Sequence, residues 1–468
     1  MDKKTSWMSD EIMEATNAVL LSGKSECALF SEISTDSRKI SRGDLFLALC
    51  GEQFNGHDFI EKAMENGAAG IIMDQARWPE KKDFFKEKAL PVFGVDGGLS
   101  ALGNLGRYRR KKFGVKVIAI TGSNGKTSTK EFLKSIFKEE VSFLATEGNF
   151  NNEVGLPLTL LRLKPENKWA ILELGISHPG EMTRLSAICE PDMALITRVD
   201  PAHLEGLGSM EGVAKAKAEI FSGMKAGGIA MVNGSDPGSA FLPLRKDLSN
   251  LFFGKEAGCD FKIRNILPKE NGTSFEMETK TGKTLYLETG IPGSMMAENA
   301  FAAASLAMVA GMSEKSIRAG ILNFKGYPGR FEKLEGPAGS IIVNDTYNAN
   351  PQSMEKALEQ LALLSGHSRS IAILGSMGEL GEESDKLHFN LGSLAAKTGL
   401  SALFCYGPKA DKMAEGARSV GFQSVFVLKK EEIAKEVKPL LQNGDWILVK
   451  GSRSMSMETV VNDLIAMK

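Results

Sequence analysis

The sequence predicts an α/β protein with three domains, and two observations lead to this fold class. Short apolar runs, such as residues 115–120 and 169–175, alternate with stretches of helical length, as in doubly wound sheets with buried parallel strands. The same alternation starts again after the turn at residues 326–330, which predicts a second, Rossmann-like parallel sheet. A chain of 468 residues is long enough for roughly two to four domains.

The predicted domains are a smaller N-terminal α/β domain, a central doubly wound α/β domain and a C-terminal Rossmann-like parallel α/β domain. We place them at residues 1–112, 113–327 and 328–468. In the first domain, residues 44–51 predict a strand, and residues 59–73 predict a helix and a strand, with Gly67 ending the helix. Residues 107–112 (RYRRKK) predict a solvated helix end before a linker.

Bulk composition excludes several functional classes. The formal net charge is -1, so no overall field favours nucleic acid or an anionic membrane. No run of about 18 apolar residues predicts a membrane span, and the polar N-terminus lacks the apolar core of a signal peptide. The cysteines, none in a CxxC pair, are Cys27, Cys50, Cys189, Cys259 and Cys405. We expect buried free thiols in a reducing cytoplasm.

Residues 117–133 (VIAITGSNGKTSTKEFL) predict a phosphate-binding loop between a strand and a helix. Gly122 and Gly125 allow a tight turn and a close approach of the backbone to phosphate, and the helix N-terminus supplies partial positive charge. Lys126 can reach the β- and γ-phosphates, and Thr127 can offer its hydroxyl to Mg²⁺. The alternative is a glycine-rich turn with a surface lysine, which the strand before it and the helix after it disfavour.

The segment TGSNGKTS is shorter than the general phosphate loop and closely resembles that of the muramyl ligase and folylpolyglutamate synthase superfamily, whose members are ATP-dependent acid–amine ligases. Other segments resemble the muramyl ligases that add D-alanyl-D-alanine to UDP-N-acetylmuramoyl-tripeptide. They lie at residues 33–59, 146–161, 200–209, 344–358, 374–388 and 448–458. The resemblance implies a monomeric cytoplasmic ligase of peptidoglycan precursor synthesis, without nucleic acid partners or membrane insertion.

The resemblance also implies two Mg²⁺ sites. The residues assigned to them are Thr127, Thr146, Glu173, His203 and, as a carbamate, Lys217. From the residues alone, each of the last three has a plainer interpretation. A salt bridge could hold Glu173 in its apolar run, His203 could be a surface residue, and Lys217 could reach the surface along its apolar stem. Lys215 is the alternative to Lys217 if the helical register differs.

Nucleotide contacts are assigned to the loop and to three later positions. The resemblance implies ATP contacts at Thr121, Gly122, Ser123, Asn124, Gly125, Lys126, Thr127, Ser128, Asn299, Arg330 and Asp345. A carboxylate at Asp345 can accept hydrogen bonds from ribose hydroxyls, and Arg330 can neutralise the charge of a phosphate. A turn cap and a domain-interface ion pair are the plainer interpretations of these two residues. The chain departs from the family pattern at Arg198, Asp200 and Met296.

Substrate contacts are expected in the first domain for the UDP part and in two asparagine-containing segments for the peptide parts. The candidates are Ser37, Arg38, Gly56, His57, Asn149, Asn151, Asn152, Tyr347, Asn348 and Asn350. A structural strand-turn is the plainer interpretation of the first-domain residues, and a structured turn is that of the loop asparagines. Lys450, Ser452 and Arg453 are a further candidate anion pocket.

The implied mechanism forms an acyl phosphate from the substrate carboxylate and ATP, and the dipeptide amine then attacks it. UDP-N-acetylmuramoyl-pentapeptide, ADP and phosphate are the products. The predicted catalytic residues are Lys126, Glu173, His203 and Lys217. We also expect the third domain to close over the phosphate loop. Rival hypotheses are a sister ligase that adds one amino acid, a folylpolyglutamate synthase, and a nucleotide-gated regulatory protein without turnover.

Overall fold

Three large sheets follow one another along the chain and divide it into three units. The computed structural model describes residues 5–24, 28–51, 54–201, 204–269 and 272–467. Within these residues the large sheets have five, nine and six strands, and a two-stranded sheet accompanies the first of them. The α/β fold class predicted from the sequence is therefore confirmed.

The first unit is a mixed sheet with helices packed on it. Its elements are β1 (Trp7–Met8), α1 (Ser9–Thr16), β2 (Val19–Ser22), β3 (Leu29–Phe30), β4 (Ile33–Ser34), β5 (Leu45–Leu47), α2 (Ile60–Glu65), β6 (Gly70–Asp74), α3 (Trp78–Phe85), β7 (Val92–Val95) and α4 (Gly98–Phe113). The sheet order is β2-β7-β6-β5-β4, with only β2 antiparallel to its neighbour. Gly67 has a φ of +105° just after α2, as expected of the residue that ends this helix.

The second unit is the nine-stranded sheet, which carries the predicted phosphate loop. Its strands are β8 (Lys116–Thr121), β9 (Phe143–Ala145), β10 (Trp169–Glu173), β11 (Met193–Ile196), β12 (Ile229–Asn233), β13 (Ser249–Gly254), β14 (Phe261–Lys269), β15 (Gly272–Thr279) and β16 (Thr284–Thr289). Its helices are α5 (Lys126–Lys138), α6 (Gly155–Leu161), α7 (Glu181–Cys189), α8 (Leu204–Leu207), α9 (Met210–Ala218), α10 (Ser294–Val309) and α11 (Glu314–Asn323). The order β16-β15-β14-β13-β12-β11-β8-β10-β9 is parallel from β9 to β14.

Strands β13 to β16 extend this sheet beyond the strands that the sequence predicted. Strands β15 and β16 pair antiparallel, and along them buried residues alternate with more exposed ones. One face packs on α10 and α11 and the other faces water. This alternation is a period-two signal, but an analysis based on continuous apolar runs does not detect strands whose outward positions are polar.

The third unit is a six-stranded sheet in which every strand predicted from the sequence is present. Its elements are β17 (Glu332–Glu335), β18 (Ile341–Asp345), α12 (Pro351–Ser365), β19 (Ser370–Gly375), α13 (Ser384–Lys397), β20 (Ala402–Tyr406), α14 (Ala410–Ser419), β21 (Val425–Val427), α15 (Lys430–Val437), β22 (Trp446–Lys450) and α16 (Glu458–Ala466). The order is β17-β18-β22-β19-β20-β21, parallel except for β17. One apolar cluster continues from the second sheet through α10 to α12, so these two units share buried surface.

The C-terminal end of α4 is only partly solvated, since within residues 107–112 Arg107, Lys111 and Lys112 are exposed as predicted but Arg109 and Arg110 are buried. Arg110 Nη1 donates to Glu190 Oε2 at 3.0 Å. The Arg109 guanidinium is buried and lies 5.0 Å from the ring centroid of Trp7. Glu190 follows α7 in the second unit, and a charge pattern within α4 cannot show that this partner lies beside it. Tertiary packing therefore decides how these arginines are compensated.

The described cysteines are free thiols. Cys189, Cys259 and Cys405 are buried as expected, whereas Cys50 is exposed, because it lies in the loop that follows β5. Cys27 lies outside the described residues. Among the described helices, none combines the length and the apolar character needed to cross a bilayer.

Candidate active site

The predicted phosphate loop joins β8 to α5 at the carboxyl edge of the nine-stranded sheet. Thr121 Oγ1 donates to the Leu174 carbonyl at 2.9 Å, and the Ser123 N–H donates to the Arg198 carbonyl at 2.8 Å. Leu174 follows β10 and Arg198 lies just after β11, the two strands that flank β8. The loop is therefore fixed by both neighbouring strand ends, at the edge where ligands collect in such sheets.

Two glycines of the loop allow close contacts that no side chain would permit. Gly122 has a φ of +147°, and a Cβ placed on it would lie 2.0 Å from Thr197 Oγ1. Gly125 has a φ of +85°, and its Cβ would lie 2.5 Å from Asn299 Oδ1. Gly125 directly precedes α5, whose first backbone N–H groups have no partner within the helix. This geometry supports the predicted binding of an anion at the helix N-terminus.

Lys126 is the first residue of α5, and its amine lies inside the loop. Nζ donates to the Gly122 carbonyl at 2.6 Å. Burial lowers the pKa of Lys126, and the nearby Glu173 carboxylate opposes that shift. A partly buried amine at this place can neutralise phosphate charge on the loop more strongly than a fully exposed one.

Glu173 ends strand β10 and is only 1% exposed. Its Oε1 accepts from the Thr127 hydroxyl at 3.3 Å and from the Asn151 amide at 3.1 Å. Its backbone N–H donates to Thr146 Oγ1 at 3.0 Å. The fold thus brings together three residues assigned to metal binding and one asparagine assigned to substrate.

The donor set around Glu173 fits a Mg²⁺ ion. Hydroxyl and carboxylate oxygens are the hard ligands that Mg²⁺ prefers, and it completes its shell with water and phosphate oxygens. Thr127, Thr146 and Glu173 supply such oxygens within one hydrogen-bonded group. A buried carboxylate is costly unless cations compensate it, so this position suits a divalent cation.

Lys217 lies on the buried side of α9 and is 2% exposed, whereas the Lys215 side chain is exposed and ion-paired on the outer face. The helical register therefore favours Lys217 as the residue that faces the cleft. Burial, and then the charge of Lys126, lower the pKa of Lys217 to about 7, with Asp200 opposing. His203, assigned to the same metal, lies outside the described residues.

A cavity of about 570 Å³ opens beside the phosphate loop, between α10 of the second unit and α12 of the third. Asn124, Gly125 and Asn299 line its inner end, with Phe253 and Phe301 among its apolar walls. Its volume is in the range of small-molecule sites. Asn299, which was predicted to contact ATP, therefore borders both the loop and a cavity that can take the nucleoside.

The same cavity contains ion pairs that the sequence analysis missed. Arg198 pairs with Glu298, and Lys255 Nζ lies 2.7 Å from Glu298 Oε1. The three residues come from separate segments, so no motif connects them. Met296, like Arg198 a departure from the family pattern, is buried in the apolar core on α10.

Asn124 joins the phosphate loop to the third unit. Its Nδ2 donates to Asp200 Oδ2 at 2.8 Å and to Asn350 Oδ1 at 3.3 Å, and Asn350 Nδ2 donates back to Asn124 Oδ1 at 2.9 Å. Asn350 also caps α12, where its side chain accepts from the Ser353 N–H at 2.9 Å. Asp200, another departure from the family pattern, is thus tied to the loop, and burial raises its pKa.

Arg330 reaches the phosphate loop from the segment before the third sheet. Its Nη2 donates to Thr127 Oγ1 at 3.1 Å, and its guanidinium lies 3.9 Å from the Tyr347 ring centroid. The Tyr347 ring in turn lies 6.3 Å from that of Tyr327. Arg330 and Tyr347, predicted separately for ATP and for substrate, therefore meet beside the start of α5.

Asp345 and Lys450 form a buried ion pair at the ends of β18 and β22, with Oδ2 2.7 Å from Nζ. Asp345 Oδ1 also accepts from the Phe331 N–H at 3.2 Å, and Lys450 Nζ donates to the Asn348 carbonyl at 2.9 Å. Burial lowers the pKa of Lys450, with Asp345 opposing. Lys450 is therefore held by internal partners, which does not suit the anion pocket proposed with Ser452 and Arg453.

The residues of the first unit that were predicted to contact the UDP part of the substrate lie on two short 3₁₀ segments, Ser37–Lys39 and Gly56–Phe59. His57 is buried, its Nδ1 lies 2.8 Å from Asn55 Oδ1, and its Nε2 accepts from the Asp74 N–H at 3.0 Å. Because one ring nitrogen contacts Asn55 of the same loop and the other accepts from the end of strand β6, His57 ties this loop to the sheet. Burial lowers its pKa, which favours the neutral ring that these contacts need.

Arg38 differs from the other first-unit candidates because its side chain is 86% exposed, with Nε 2.9 Å from Asp36 Oδ1. Ser37 is buried. A Cβ on Gly56 would lie 2.6 Å from the backbone nitrogen of Leu49, so the chain passes too closely there for any side chain. Of these residues, Arg38 is the one whose side chain is most open to a ligand.

The three loop asparagines have different surroundings. Asn149 is exposed, Asn151 donates to Glu173, and Asn152 Oδ1 accepts from the Gly155 N–H at 2.8 Å at the start of α6. The structure therefore brings Asn151 to the phosphate loop, whereas Asn152 has a capping role. Sequence analysis also missed Lys130, which lies one helical turn after Lys126 and is completely buried.

Three family models match the chain. They are described as Mur ligase family, catalytic domain, at residues 30–109, Mur ligase middle domain, at residues 120–307, and Mur ligase, glutamate ligase domain, at residues 329–453.

Individual proteins match over almost the full chain. A UDP-N-acetylmuramoyl-tripeptide–D-alanyl-D-alanine ligase from Escherichia coli (strain K12) is 37% identical over 438 residues, covering 92% of this chain and 93% of the relative. The crystal structure of MurF from Acinetobacter baumannii superposes with a TM-score of 0.89 at 31% identity, covering 98% of this chain and 99% of that one. MurF from Thermotoga maritima in complex with ADP has a TM-score of 0.82 at 30% identity, with coverages of 93% and 97%.

Proposed function

The chain belongs to the Mur ligase family, and we propose that it joins D-alanyl-D-alanine to UDP-N-acetylmuramoyl-tripeptide with hydrolysis of ATP to ADP and phosphate. The observation that carries this proposal is the similarity to the Escherichia coli ligase of that name, which covers nearly all of both chains. The product is UDP-N-acetylmuramoyl-pentapeptide, a peptidoglycan precursor. Because the reaction uses ATP and a UDP-linked precursor, we place it in the cytoplasm, and we keep a monomer as the expected state.

Each unit has a proposed role in this reaction. Residues 1–112 would hold the UDP-muramyl part, with Arg38 as the exposed cation. Residues 113–327 would bind ATP on the loop and in the cavity at Asn299, a proposal that the ADP complex of the Thermotoga maritima relative supports. Residues 328–468 would close the site through Arg330 and Asn350.

Phosphoryl transfer would depend on charge placed around the loop. Lys126 and the first N–H groups of α5 would hold the phosphate chain, and Arg330 would approach it from the third unit. The tripeptide carboxylate attacks the γ-phosphorus, the bond between γ-phosphorus and the bridging oxygen breaks, and ADP leaves. The chain's contribution is to align these groups and to neutralise the charge that develops.

The second step forms the amide bond. The dipeptide amine attacks the acyl carbon, the bond from carbon to the phosphate oxygen breaks, and the amine gives up a proton. When bound, Mg²⁺ would neutralise phosphate charge, held by Thr127, Thr146 and Glu173 at one position and by His203 and carbamylated Lys217 at the other. Burial of Lys217 supports this modification, because only a neutral amine adds to CO₂.

Phosphate release tests this proposal directly. Purified protein would be assayed with Mg²⁺-ATP, UDP-muramyl tripeptide and D-alanyl-D-alanine, omitting one component at a time. We expect release only with all three, together with the pentapeptide product by mass. Release with a single amino acid would assign the chain to a sister ligase, and no release in any combination would favour a regulatory protein.

A further inference from the structure

Lys130 is a buried lysine to which the proposed mechanism gives no role. It lies on α5 with 0% of its surface exposed, and lysines are rarely buried so completely unless they are paired. Its Nζ lies 3.2 Å from Glu131 Oε1 and 3.5 Å from Glu173 Oε2. Within the described part of the chain, neither Lys130 Nζ nor Glu173 Oε2 has a hydrogen-bond partner. The two groups therefore face each other as buried opposite charges.

The two oxygens of Glu173 have different neighbours. Oε1 accepts from the Thr127 hydroxyl and the Asn151 amide, and Oε2 faces Lys130. Thr127 lies at the start of α5, next to the phosphate loop. A divalent cation shared with nucleotide phosphates would therefore meet Oε1, while Lys130 occupies the other oxygen.

This arrangement has an electrostatic consequence for cation binding. A fixed positive charge close to the carboxylate repels a second cation, and this repulsion is strong in a buried site. A single carboxylate oxygen with hydroxyl oxygens is also a poor ligand set for a divalent ion unless phosphate oxygens complete it. Bound nucleotide would supply both the missing oxygens and the missing negative charge.

We propose that Lys130 is a positioning residue that holds Glu173 Oε2, presents only Oε1 to the cation, and keeps the cation site weak until nucleotide is bound. The inference rests on the proposed function, since it takes Thr127 and Glu173 as ligands of the Mg²⁺ that accompanies ATP. It explains why a lysine is buried next to a carboxylate that is itself assigned to a cation. Cation and nucleotide then bind as a coupled pair.

Titration with Mn²⁺, followed by electron paramagnetic resonance of the free ion, tests this inference first without nucleotide and then with ADP, and without muramyl substrate. Lys130→Met removes the charge and keeps most of the volume, so we expect Mn²⁺ to bind roughly tenfold more tightly or better than in the unmodified chain. The gain in Mn²⁺ affinity on adding ADP should shrink to a similar extent. Both changes follow from charge, and loss of packing alone does not produce them.

Lys134→Met is the matched control, because Lys134 lies on the same helix and its Nζ is 2.8 Å from Glu131 Oε2, with a partly exposed side chain. We expect its Mn²⁺ affinity to equal that of the unmodified chain. Lys130→Met combined with Glu131→Gln removes a charge of each sign and protects the test against misfolding. Unchanged or weaker Mn²⁺ binding in folded Lys130→Met, relative to the unmodified chain, or in the folded double variant, relative to Glu131→Gln alone, would overturn the proposal. If the Mn²⁺ effect is observed but the protein forms no pentapeptide, the proposed substrates are wrong and the role of Lys130 still stands.

Discussion

Three lysines considered as site residues have different surroundings. Lys126 donates to a carbonyl of its own loop, Lys450 is ion-paired with Asp345, and Lys217 has a pKa of about 7. Burial lowers the pKa of each of them. Lys126 is therefore suited to binding phosphate, Lys450 holds a loop, and Lys217 can react as a neutral amine.

Lys126→Met should abolish ATP-dependent phosphate release while the protein stays folded. The substitution removes the cation at the phosphate loop, and we expect kcat to fall by roughly 100-fold or more. Steady-state phosphate release, with thermal unfolding as the check on folding, measures both effects. Lys134→Met on the same helix is the control, with activity near that of the unmodified chain. A fully active Lys126→Met protein would contradict the assignment of the loop.

Lys217 should carry a carbamate whose amount depends on pH. The pKa of Lys217 is lowered to about 7, so the amine is charged below that pH and neutral above it. Since only the neutral amine adds to CO₂, the carbamate signal should decrease as pH falls through about 7. ¹³C NMR of protein in ¹³C-bicarbonate measures this change.

Lys215→Met provides the control for that experiment, because Lys215 is exposed on the outer face of the same helix. The signal should persist in Lys215→Met and disappear in Lys217→Met. A signal that survives in Lys217→Met would show that another lysine is modified.

At the scale of elements, the start of α12 combines a cap with an inter-unit contact. The Asn350 side chain accepts from the Ser353 N–H and also exchanges hydrogen bonds with Asn124 of the phosphate loop. A helix N-terminus in the third unit is thereby fixed against the loop of the second. Stability of the helix and closure of the cleft are linked through one amide.

Substitutions of Asn350 can separate these two roles. Asn350→Asp keeps a good N-cap but removes the amide donor and adds negative charge beside the phosphate loop, so stability should hold while kcat/KM for ATP falls. Asn350→Ala should lose the cap as well, at about 1 kcal/mol of unfolding free energy. Urea unfolding and ATP-dependent ligase kinetics measure the two effects. Equal losses of stability in both variants would refute the separation.

At the scale of the whole molecule, the third unit touches the phosphate loop in this structure. Arg330 and Asn350 reach Thr127 and Asn124, and the second and third units share an apolar cluster. The nucleotide-sized cavity has one wall from the third unit, which is formed by α12 residues that include Gln352. In this structure the third unit is therefore in direct contact with the phosphate loop, and its closure over bound nucleotide stays a prediction.

Arg330→Ala should loosen the contact between the third unit and the phosphate loop. It removes the hydrogen bond to Thr127, which joins the third unit to the second, and the stacking on Tyr347, which holds the guanidinium in place within the third unit. We expect a larger radius of gyration by small-angle X-ray scattering with ADP present, and weaker ADP binding by calorimetry. Lys333→Ala, which removes a cation 5.0 Å from the Trp446 ring within the third unit, is the control and should change neither quantity. Identical scattering and ADP affinity in Arg330→Ala would argue against this role of Arg330.

Some parts of the molecule could be predicted from the sequence because each is determined by residues that are close together in the chain. The phosphate loop lies within one short segment between a strand and a helix, and the predicted strands of the third unit are continuous apolar runs. Strands β15 and β16 were missed because their outward positions are polar, although their alternation was present. The solvated end predicted for α4 was wrong at Arg109 and Arg110, which are buried, and the partner of Arg110, Glu190, belongs to another unit.

The sequence by itself determined the α/β fold class, the position of the loop and the residues that can bind phosphate, because each depends on residues close together in the chain. Tertiary structure alone decided that Lys217 and not Lys215 is buried, that Asp345 pairs with Lys450, and that Glu173 meets Lys130. These pairings join residues that are distant in sequence. They arise when apolar faces of different elements pack, and local patterns record which face is apolar but not which partner it will meet.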